Sequence, residues 1–255
     1  MPAALRTHGT LDRMTAVPDA LAAALSRDPA RPLVTHVGPD GARTELSVRT
    51  LENGLAKAAN LLRDDADLQP GGVVAVALPV HWQASVWLGA CAFVGGVAWF
   101  GGDTGSSQAE VAVVGPDGLD LPQAPLTLAS SLHPFGMPFA APLPAGVLDA
   151  AVEVRAHGDR FTPYHRVSAD DAWLRAGGAE WTQGQALDAG HALAERIGAG
   201  AGSRVLLAPG AAVEDAALAL LALPLAIDGS VALLTDPSAD AERVAEQERC
   251  DAVLR

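Results

Sequence analysis

The chain contains almost no lysine. Lys57 is the only one, and the other sixteen of its 17 basic residues are arginine. Any chemistry that requires a lysine amine must therefore use Lys57 or be absent. Positive charge is scarce as a whole, because 30 acidic residues bring the formal net charge of the 255-residue chain to -13. We therefore predict no nucleic-acid partner and no polybasic membrane anchor, since both need clustered Lys and Arg.

Cysteine is nearly absent too. Cys91 and Cys250 lie far apart in the sequence, and neither has a neighbouring ligand at metal-site spacing. We therefore predict neither a disulfide framework nor a bound metal, and expect structural thiols in a reducing compartment. The same lack of ligand spacing applies to three dispersed histidines: His157, His165 and His191.

No long apolar run follows a basic N-terminal segment, so a signal peptide is not expected. The two most apolar stretches, 86–100 and 216–234, are interrupted by glycine or proline. They indicate buried helix–turn–strand units and not membrane spans. We expect a cytoplasmic protein whose residues 1–16 form an N-terminal extension.

Apolar strands alternate with helices through both halves of the chain. Continuous apolar strands separated by helices indicate parallel sheets covered on both faces. The first half predicts helices over 18–27, 48–63 and 82–94, and strands over 33–37, 44–46, 73–78 and 97–100. The later part predicts strands over 147–154, 172–175, 204–208 and 230–234, helices over 185–197 and 213–226, and no regular element over 115–144.

The second half repeats the order of the first. VAVALP at 74–79 occupies the place of RVLLAP at 204–209, and ELS at 45–47 that of EWT at 180–182. Chance alternation explains the order of elements but not these matches together, so we favour an internal duplication. The predicted fold is α/β, with two similar, doubly wound, mostly parallel βαβ subdomains. They span 17–115 and 167–255 and are joined by a connecting segment over 116–166.

The first ninety residues after the extension resemble the start of the adenylate-forming enzymes: acyl-CoA synthetases, luciferases and peptide-synthetase adenylation domains. The pieces that carry the resemblance are VPDAL at 17–21, ARPLV at 30–34, ELS at 45–47, GGVVAVALP at 71–79, WQASVWLG at 82–89 and GGVAWF at 95–100. No single segment is specific for this family, but the ordered series of segments is. The resemblance implies the fold of the N-terminal domain of an acetyl-CoA synthetase.

The phosphate loop of that family is degenerate here. In the family, a loop rich in Ser, Thr and Gly and closed by Pro-Lys holds the triphosphate with backbone N–H groups, hydroxyls and the lysine. The matching stretch, DDAWLRAGGAEW at 170–181, keeps the Asp-Asp-x-apolar start that leads into the family's loop. The loop itself consists only of Gly177-Gly178, and Glu180 stands where phosphate would lie. The family's ribose-binding aspartate and C-terminal lysine domain would lie beyond Arg255. We therefore carry over no catalytic residue and predict no cofactor.

Three kinds of function remain open from the sequence. We favour a non-catalytic binding or scaffold protein that keeps the adenylate-former shape. The alternatives are an enzyme with an unrecognised site, in the cleft between the two copies, and a subunit of an acyl-activating system that a partner chain completes. A protein partner or a homo-oligomer is compatible with all three, and the sequence does not identify a small-molecule ligand.

Weak candidates for a binding crevice follow the predicted strands, because ligands of doubly wound sheets bind at the carboxyl ends of strands. His81 could act as a base, but a role as N-cap of the next helix is the stronger reading. Loop 101–107 resembles a phosphate cradle without its motif and is best read as a flexible loop. The full candidate set is His81, Trp82, Asp103, Thr104, Arg175, Gly177 and Gly178.

Overall fold

The computed structural model describes residues 15–103, 106–121 and 124–255. All but two residues of the predicted extension 1–16 lie outside these ranges. The first half forms α1 (Val17–Arg27), β1 (Pro32–Val37), β2 (Arg43–Ser47), α2 (Val48–Asp64), β3 (Val73–Ala77), α3 (Trp82–Val94), β4 (Val97–Phe100), β5 (Ala109–Val114) and β6 (Leu126–Ala129). The second forms β7 (Val147–Asp149), α4 (Ala150–Arg155), β8 (Ala172–Ala176), β9 (Ala179–Thr182), α5 (Gln183–Arg196), β10 (Arg204–Leu207), α6 (Val213–Leu220), α7 (Ala222–Ala226), β11 (Ser230–Leu234), α8 (Ala241–Gln247) and β12 (Ala252–Leu254).

These strands form two sheets. One has seven strands in the order β7-β6-β5-β3-β4-β8-β9, and the other has five in the order β12-β10-β11-β1-β2. Neighbouring strands run parallel except in the two hairpins, β1–β2 and β8–β9. The predicted α/β class with two mostly parallel sheets is therefore confirmed.

Each hairpin belongs to the sheet of the opposite half of the chain. β1 pairs with β11, with Val34 beside Val231, and β8 pairs with β4, with Leu174 beside Ala98. As a result, the orders β5-β3-β4-β8-β9 and β12-β10-β11-β1-β2 match strand for strand. A duplication would produce this match, but the duplication and the domain boundaries both remain predictions.

Both sheets and all the described helices except α8 contribute to one main hydrophobic core, and α8 packs in a smaller separate cluster. Gln183, which is fully buried, ties three helices together inside the main core. Its Oε1 accepts a hydrogen bond from the backbone N–H of Val17 at 3.0 Å, and its Nε2 donates to the carbonyl of Ala92 at 2.9 Å. Nearby, the indole N–H of buried Trp173 donates to the carbonyl of Leu88 at 2.8 Å. The core is therefore continuous across the two halves.

Several boundaries differ from the sequence prediction for identifiable reasons. The helix predicted over 213–226 is two helices that meet at Leu221. Pro224 lacks an N–H, and its ring conflicts with the preceding turn, so an unbroken helix is disfavoured. The strand predicted over 147–154 ends at Asp149, whose carboxylate caps α4 by accepting from the N–H of Ala151. The segment 115–144, predicted without regular structure, contains β6, and the sequence analysis identified none of β5, α8 and β12.

Within the described ranges, no helix is both long enough and apolar enough to cross a membrane.

Candidate functional site

The carboxyl ends of β3 and β10 face a shared cavity. It has a volume of about 150 Å³ and lies where Pro79 and Pro209 end their strands. Its other lining residues come from the loop after β3, from the end of β10 and the loop after it, from α6 and from the end of β11: Val80, Leu207, Ala208, Gly210, Ala211, Ala216, Leu234 and Thr235. The lining is almost entirely apolar and carries no charged side chain. The cavity therefore offers no group that would neutralise a phosphate.

The sequence analysis placed the crevice among the loops that follow the strands. Two of these loops contribute to the cavity lining through residues 79–80 and 209–211, but the candidates His81 and Trp82 are not among the lining residues. Arg175, Gly177 and Gly178 do not line it. Of these three, Gly177 lies against the start of α6, because a Cβ at this position would meet side-chain atoms of Val213 and Glu214.

The turn between β8 and β9 is closed. Gly177 and Gly178 have φ angles of +56° and +91°, and the strands pair right up to the turn, with Ala176 beside Ala179. Two consecutive residues with positive φ are typical of the tight two-residue hairpin turn. No loop is left at this position that could wrap around a ligand.

The cation of this hairpin is already paired. The Arg175 Nε lies 2.9 Å from Oε1 of Glu180 on the facing strand, and Nη1 donates to Oε1 of Gln108 at 3.3 Å. Because both carboxylate and guanidinium are partly exposed, the pair adds little stability. It does, however, leave the guanidinium of Arg175 next to a carboxylate.

The N-terminal turn of α6 is also acidic. It carries Glu214 and Asp215, and Asp215 forms an ion pair with Arg196. Atoms of the Glu214 carboxylate lie about 2 Å from the position of a Cβ on Gly177, so this side chain rests directly on the hairpin turn. A helix N-terminus attracts anions, and here protein carboxylates take that place.

His81 caps α3, as predicted. Its Nδ1 accepts a hydrogen bond from the backbone N–H of Gln83 at 3.2 Å, so the proton of the neutral ring is on Nε2. Nε2 is buried and makes no hydrogen bond within the described part of the chain. His81 is only 4% exposed, and the sheet arrangement places its ring beside that of His36, with the ring centroids 4.3 Å apart.

His36 is the residue at this site that the sequence analysis missed. It lies on β1, is 4% exposed, and its Nε2 is 3.2 Å from Oγ1 of Thr235, a residue of the cavity wall. Thr235 Oγ1 can donate to the carbonyl of Val37 at 3.4 Å, in which case Nε2 of His36 is the donor to Thr235. The two sheets therefore meet at a pair of buried imidazoles.

Burial lowers the pKa of both histidines. It is the cause of the shift for His36, and for His81 it is the largest of three influences. Repulsion by a charged His36 lowers the pKa of His81 further, whereas an interaction with the backbone of Leu132 raises it. The pKa of His81 that results is about 3. At neutral pH both rings are uncharged, so neither provides a positive charge for an anionic ligand.

Of the remaining candidates, Trp82 lies beside His81, with the ring centroids 5.6 Å apart. Trp82 packs against Gly136, where a Cβ would lie 3.1 Å from the indole ring, and its buried Nε1 has no hydrogen-bond partner among the described residues. It is not part of the cavity lining. Asp103 is exposed at the end of the β4 loop, and Thr104 lies outside the described residues.

Neither cysteine has the environment of a reactive thiol. Burial raises the pKa of the fully buried Cys91 far above its usual range, and it raises that of Cys250 to about 11. A thiol is a nucleophile only as its thiolate, so both are inert near neutral pH. Within the described ranges, no three His, Cys, Asp or Glu side chains are grouped so that they could hold a metal ion.

Comparison with known proteins identifies the fold. No family model matches the sequence. A Mycobacterium tuberculosis protein, named only as belonging to a numbered protein family, is 40% identical over 152 residues, which are 55% of this chain and 60% of that protein. The crystal structure of an acyl-CoA synthetase from Brucella canis superposes with a TM-score of 0.70 at 19% identity, covering 92% of this chain and 46% of the synthetase.

The chain thus has an acyl-CoA synthetase-like fold, as the sequence resemblance implied. It spans about 60% of the length of the mycobacterial relative and less than half that of the synthetase. At 19% identity the structural likeness concerns the fold alone.

Proposed function

We propose that this protein is a non-catalytic member of the acyl-CoA synthetase-like folds, with a binding or scaffold role, that neither binds ATP productively nor forms acyl-adenylates. The observation that carries the proposal is the closed β8–β9 turn. It stands where the resemblance to adenylate-forming enzymes implies the triphosphate loop, and it consists of Gly177 and Gly178 alone.

Electrostatics supports the same conclusion. The one cation of the hairpin, Arg175, is held by Glu180, and the turn itself is covered by Glu214. ATP bound there would place a polyanion beside two carboxylates, in a chain whose net charge is already -13. The adjacent cavity is apolar and the nearby histidines are neutral, so neither offsets this repulsion. We therefore expect ATP to bind no tighter than about millimolar, roughly -4 kcal/mol.

Calorimetric titration of the purified protein with Mg-ATP tests this directly. The wild type and Arg175→Ala should both show no saturable binding below about millimolar ATP. Glu214→Gln serves as a matched variant, because it removes charge beside the turn without opening the turn. A micromolar dissociation constant that Arg175→Ala abolishes would mean that the hairpin is a working nucleotide site.

A second measurement addresses the chemistry. Adenylate formation from a carboxylic acid and ATP is reversible and exchanges pyrophosphate into ATP. We expect no exchange above the no-enzyme background with a panel of aliphatic, aromatic and amino acids. Exchange with any of them by the protein alone would refute the proposal, whatever the measured affinity for ATP.

A further inference from the structure

Residues 158–167 form a strap that lies between α4 and β8 in the sequence and belongs to neither sheet. Most of its side chains are exposed. Within the described part of the chain, no backbone N–H or carbonyl of this strap is hydrogen-bonded to another backbone group. The strap is therefore held in place by side chains alone. A segment held in this way separates from the protein at a lower free energy than the helices and strands around it.

Arg63 of α2 makes several of the contacts that hold the strap. Its guanidinium lies over two rings of the strap, 5.1 Å from the ring centroid of Phe161 and 4.7 Å from that of Tyr164. Its Nη1 donates to the carbonyl of Thr162 at 2.6 Å. Nε and Nη2 each donate to an oxygen of Asp64 at 2.7 Å, which fixes the plane of the guanidinium. One side chain thus holds the middle of the strap through two aromatic rings and one carbonyl.

Two further side chains hold the first part of the strap against the same helix. Nδ2 of Asn60 donates to the carbonyls of Gly158 and Arg160, at 2.9 Å each. Just before the strap, Nε2 of His157 lies 2.9 Å from a carboxylate oxygen of Asp65, the C-cap of α2. Because these contacts involve only α2 and its C-cap, the strap can separate from them without breaking a hydrogen bond in either sheet.

Three separate cavities lie against the strap. The largest, about 490 Å³, lies between the strap and α1, and a second of about 410 Å³ lies beside the turns that precede β3 and follow α3. The third, about 30 Å³, is lined by both Arg63 and Tyr164. Across the first cavity the strap reaches α3 through Phe161, whose ring centroid is 5.9 Å from that of Phe93. A segment over open space makes fewer packing contacts than one in a filled core, so its separation costs less dispersion energy.

We propose that the strap opens and closes as a unit, that Arg63 is the latch of its closed position, and that opening exposes the apolar cavity beside α1. One hinge is Gly158, where a Cβ would meet no atom within 4 Å. The other precedes Ser168, whose N–H and hydroxyl are held by the carboxylate of Asp171. The proposal does not depend on the absence of nucleotide binding, because no strap residue lines the cavity at the strand ends.

Trypsin detects the open strap, because the strap contains the two cleavable bonds Arg160–Phe161 and Arg166–Val167. When reclosing is faster than cleavage, the rate of cleavage follows the population of the open form. We expect slow cleavage of the full wild-type chain at these two bonds. Cleavage should be at least about tenfold faster in Arg63→Gln, which corresponds to about 1.4 kcal/mol in the opening equilibrium. Mass spectrometry of the first fragments identifies the bonds.

Two further variants separate the latch from general effects. Arg49→Gln is the matched control, because Arg49 lies on the same helix and pairs with Glu52, and it should be cleaved at the wild-type rate. Asn60→Ala removes the two hydrogen bonds at the start of the strap and should also accelerate cleavage. Thermal unfolding verifies that each variant is folded. Adding about 1 M urea should leave the rates unchanged, because local opening exposes little surface.

Tyr164 provides a second measurement, because it is the only tyrosine in the chain. Protein labelled with fluorotyrosine therefore gives a single fluorine NMR resonance from the strap. In the wild type and Arg49→Gln we expect this resonance to differ from that of the urea-unfolded chain, and in Arg63→Gln to move towards it. Equal cleavage rates in the wild type and Arg63→Gln, an unchanged resonance in Arg63→Gln, acceleration by Arg49→Gln, or cleavage that increases with urea would each overturn the proposal.

Discussion

Mild acidification should destabilise this protein through His36 and His81. Both side chains are 4% exposed, and burial lowers the pKa of each. A group whose pKa is lower in the folded state binds protons preferentially when unfolded. The free energy of unfolding is therefore unaffected by these two histidines above the ordinary histidine pKa of 6.5, and it decreases as the pH falls below that value. Mild acid, between pH 6.5 and 5, is the window in which the effect appears.

The magnitude for His81 follows from its two pKa values. At pH 5 an unfolded imidazole of pKa 6.5 is about 97% protonated, whereas the folded side chain with a pKa of about 3 is almost uncharged. The difference corresponds to a loss of about 2 kcal/mol of unfolding free energy relative to neutral pH. This figure depends little on the folded pKa, provided that it lies below about 4. His36 contributes with the same sign, while the raised pKa of Glu52 acts in the opposite direction.

Urea unfolding at pH 7.5 and pH 5.0 measures this loss. The informative variant is His81→Asn, because asparagine is a good N-cap residue and does not titrate. It should lower the stability at both pH values, since the imidazole packing is removed, but the difference between the two pH values should shrink by about 2 kcal/mol. His165→Asn replaces an exposed histidine and should retain the wild-type difference. If His81→Asn keeps the full wild-type difference, the buried imidazole is not its source and the reasoning fails.

Two further pairs of variants probe the packing of the helices, with urea unfolding as the measurement. In Gly190→Ala the new Cβ would lie 2.8 Å from a backbone nitrogen of α7, so we expect a loss of at least about 2 kcal/mol. In Gly54→Ala the nearest atom to the new Cβ is a methyl of Val86 at 3.5 Å, so the better helix propensity of alanine should raise the unfolding free energy by about 0.5–1 kcal/mol. Equal effects of Gly190→Ala and Gly54→Ala would contradict the close packing of α5 against α7. Gln183→Ala leaves two buried backbone groups without partners and should remove about 2–4 kcal/mol. Gln185→Ala breaks only the exposed capping box and should lower the unfolding free energy by about 0.5–1 kcal/mol. A similar loss in Gln183→Ala and Gln185→Ala would refute the role assigned to Gln183.

The sequence predicts local elements well where turn or cap residues and the hydrophobic periodicity indicate the same boundary. The buried strand β3 lies between Gly72 and Pro79, and α2 begins directly after Ser47, whose hydroxyl accepts from the N–H of Thr50. In both places a turn or cap residue and the apolar pattern indicate the same boundary. Strand pairing is not local information. Nothing within 33–46 specifies that β1 pairs with β11, almost 200 residues away.

The candidate sites show the same division. The shortness of the β8–β9 turn could be predicted, because Gly177-Gly178 between two apolar runs leaves no room for a longer loop. The partner of His81 could not be predicted, since His36 is one of two polar residues in the strand PLVTHV and only the meeting of the two sheets brings its ring within 4.3 Å of that of His81.

The exchange of hairpins gives β8–β9 a structural task that does not depend on any nucleotide. β8 covers the edge of β4, pairing Leu174 with Ala98 and Arg175 with Trp99, and β9 in turn covers β8. Without this hairpin the buried strand β4 would present unpaired backbone groups, which is costly for an apolar edge. The pairing requires the two strands but not the length of the loop between them. A turn of two glycines therefore preserves the sheet in full, and the architecture of this fold does not require a longer loop at this position.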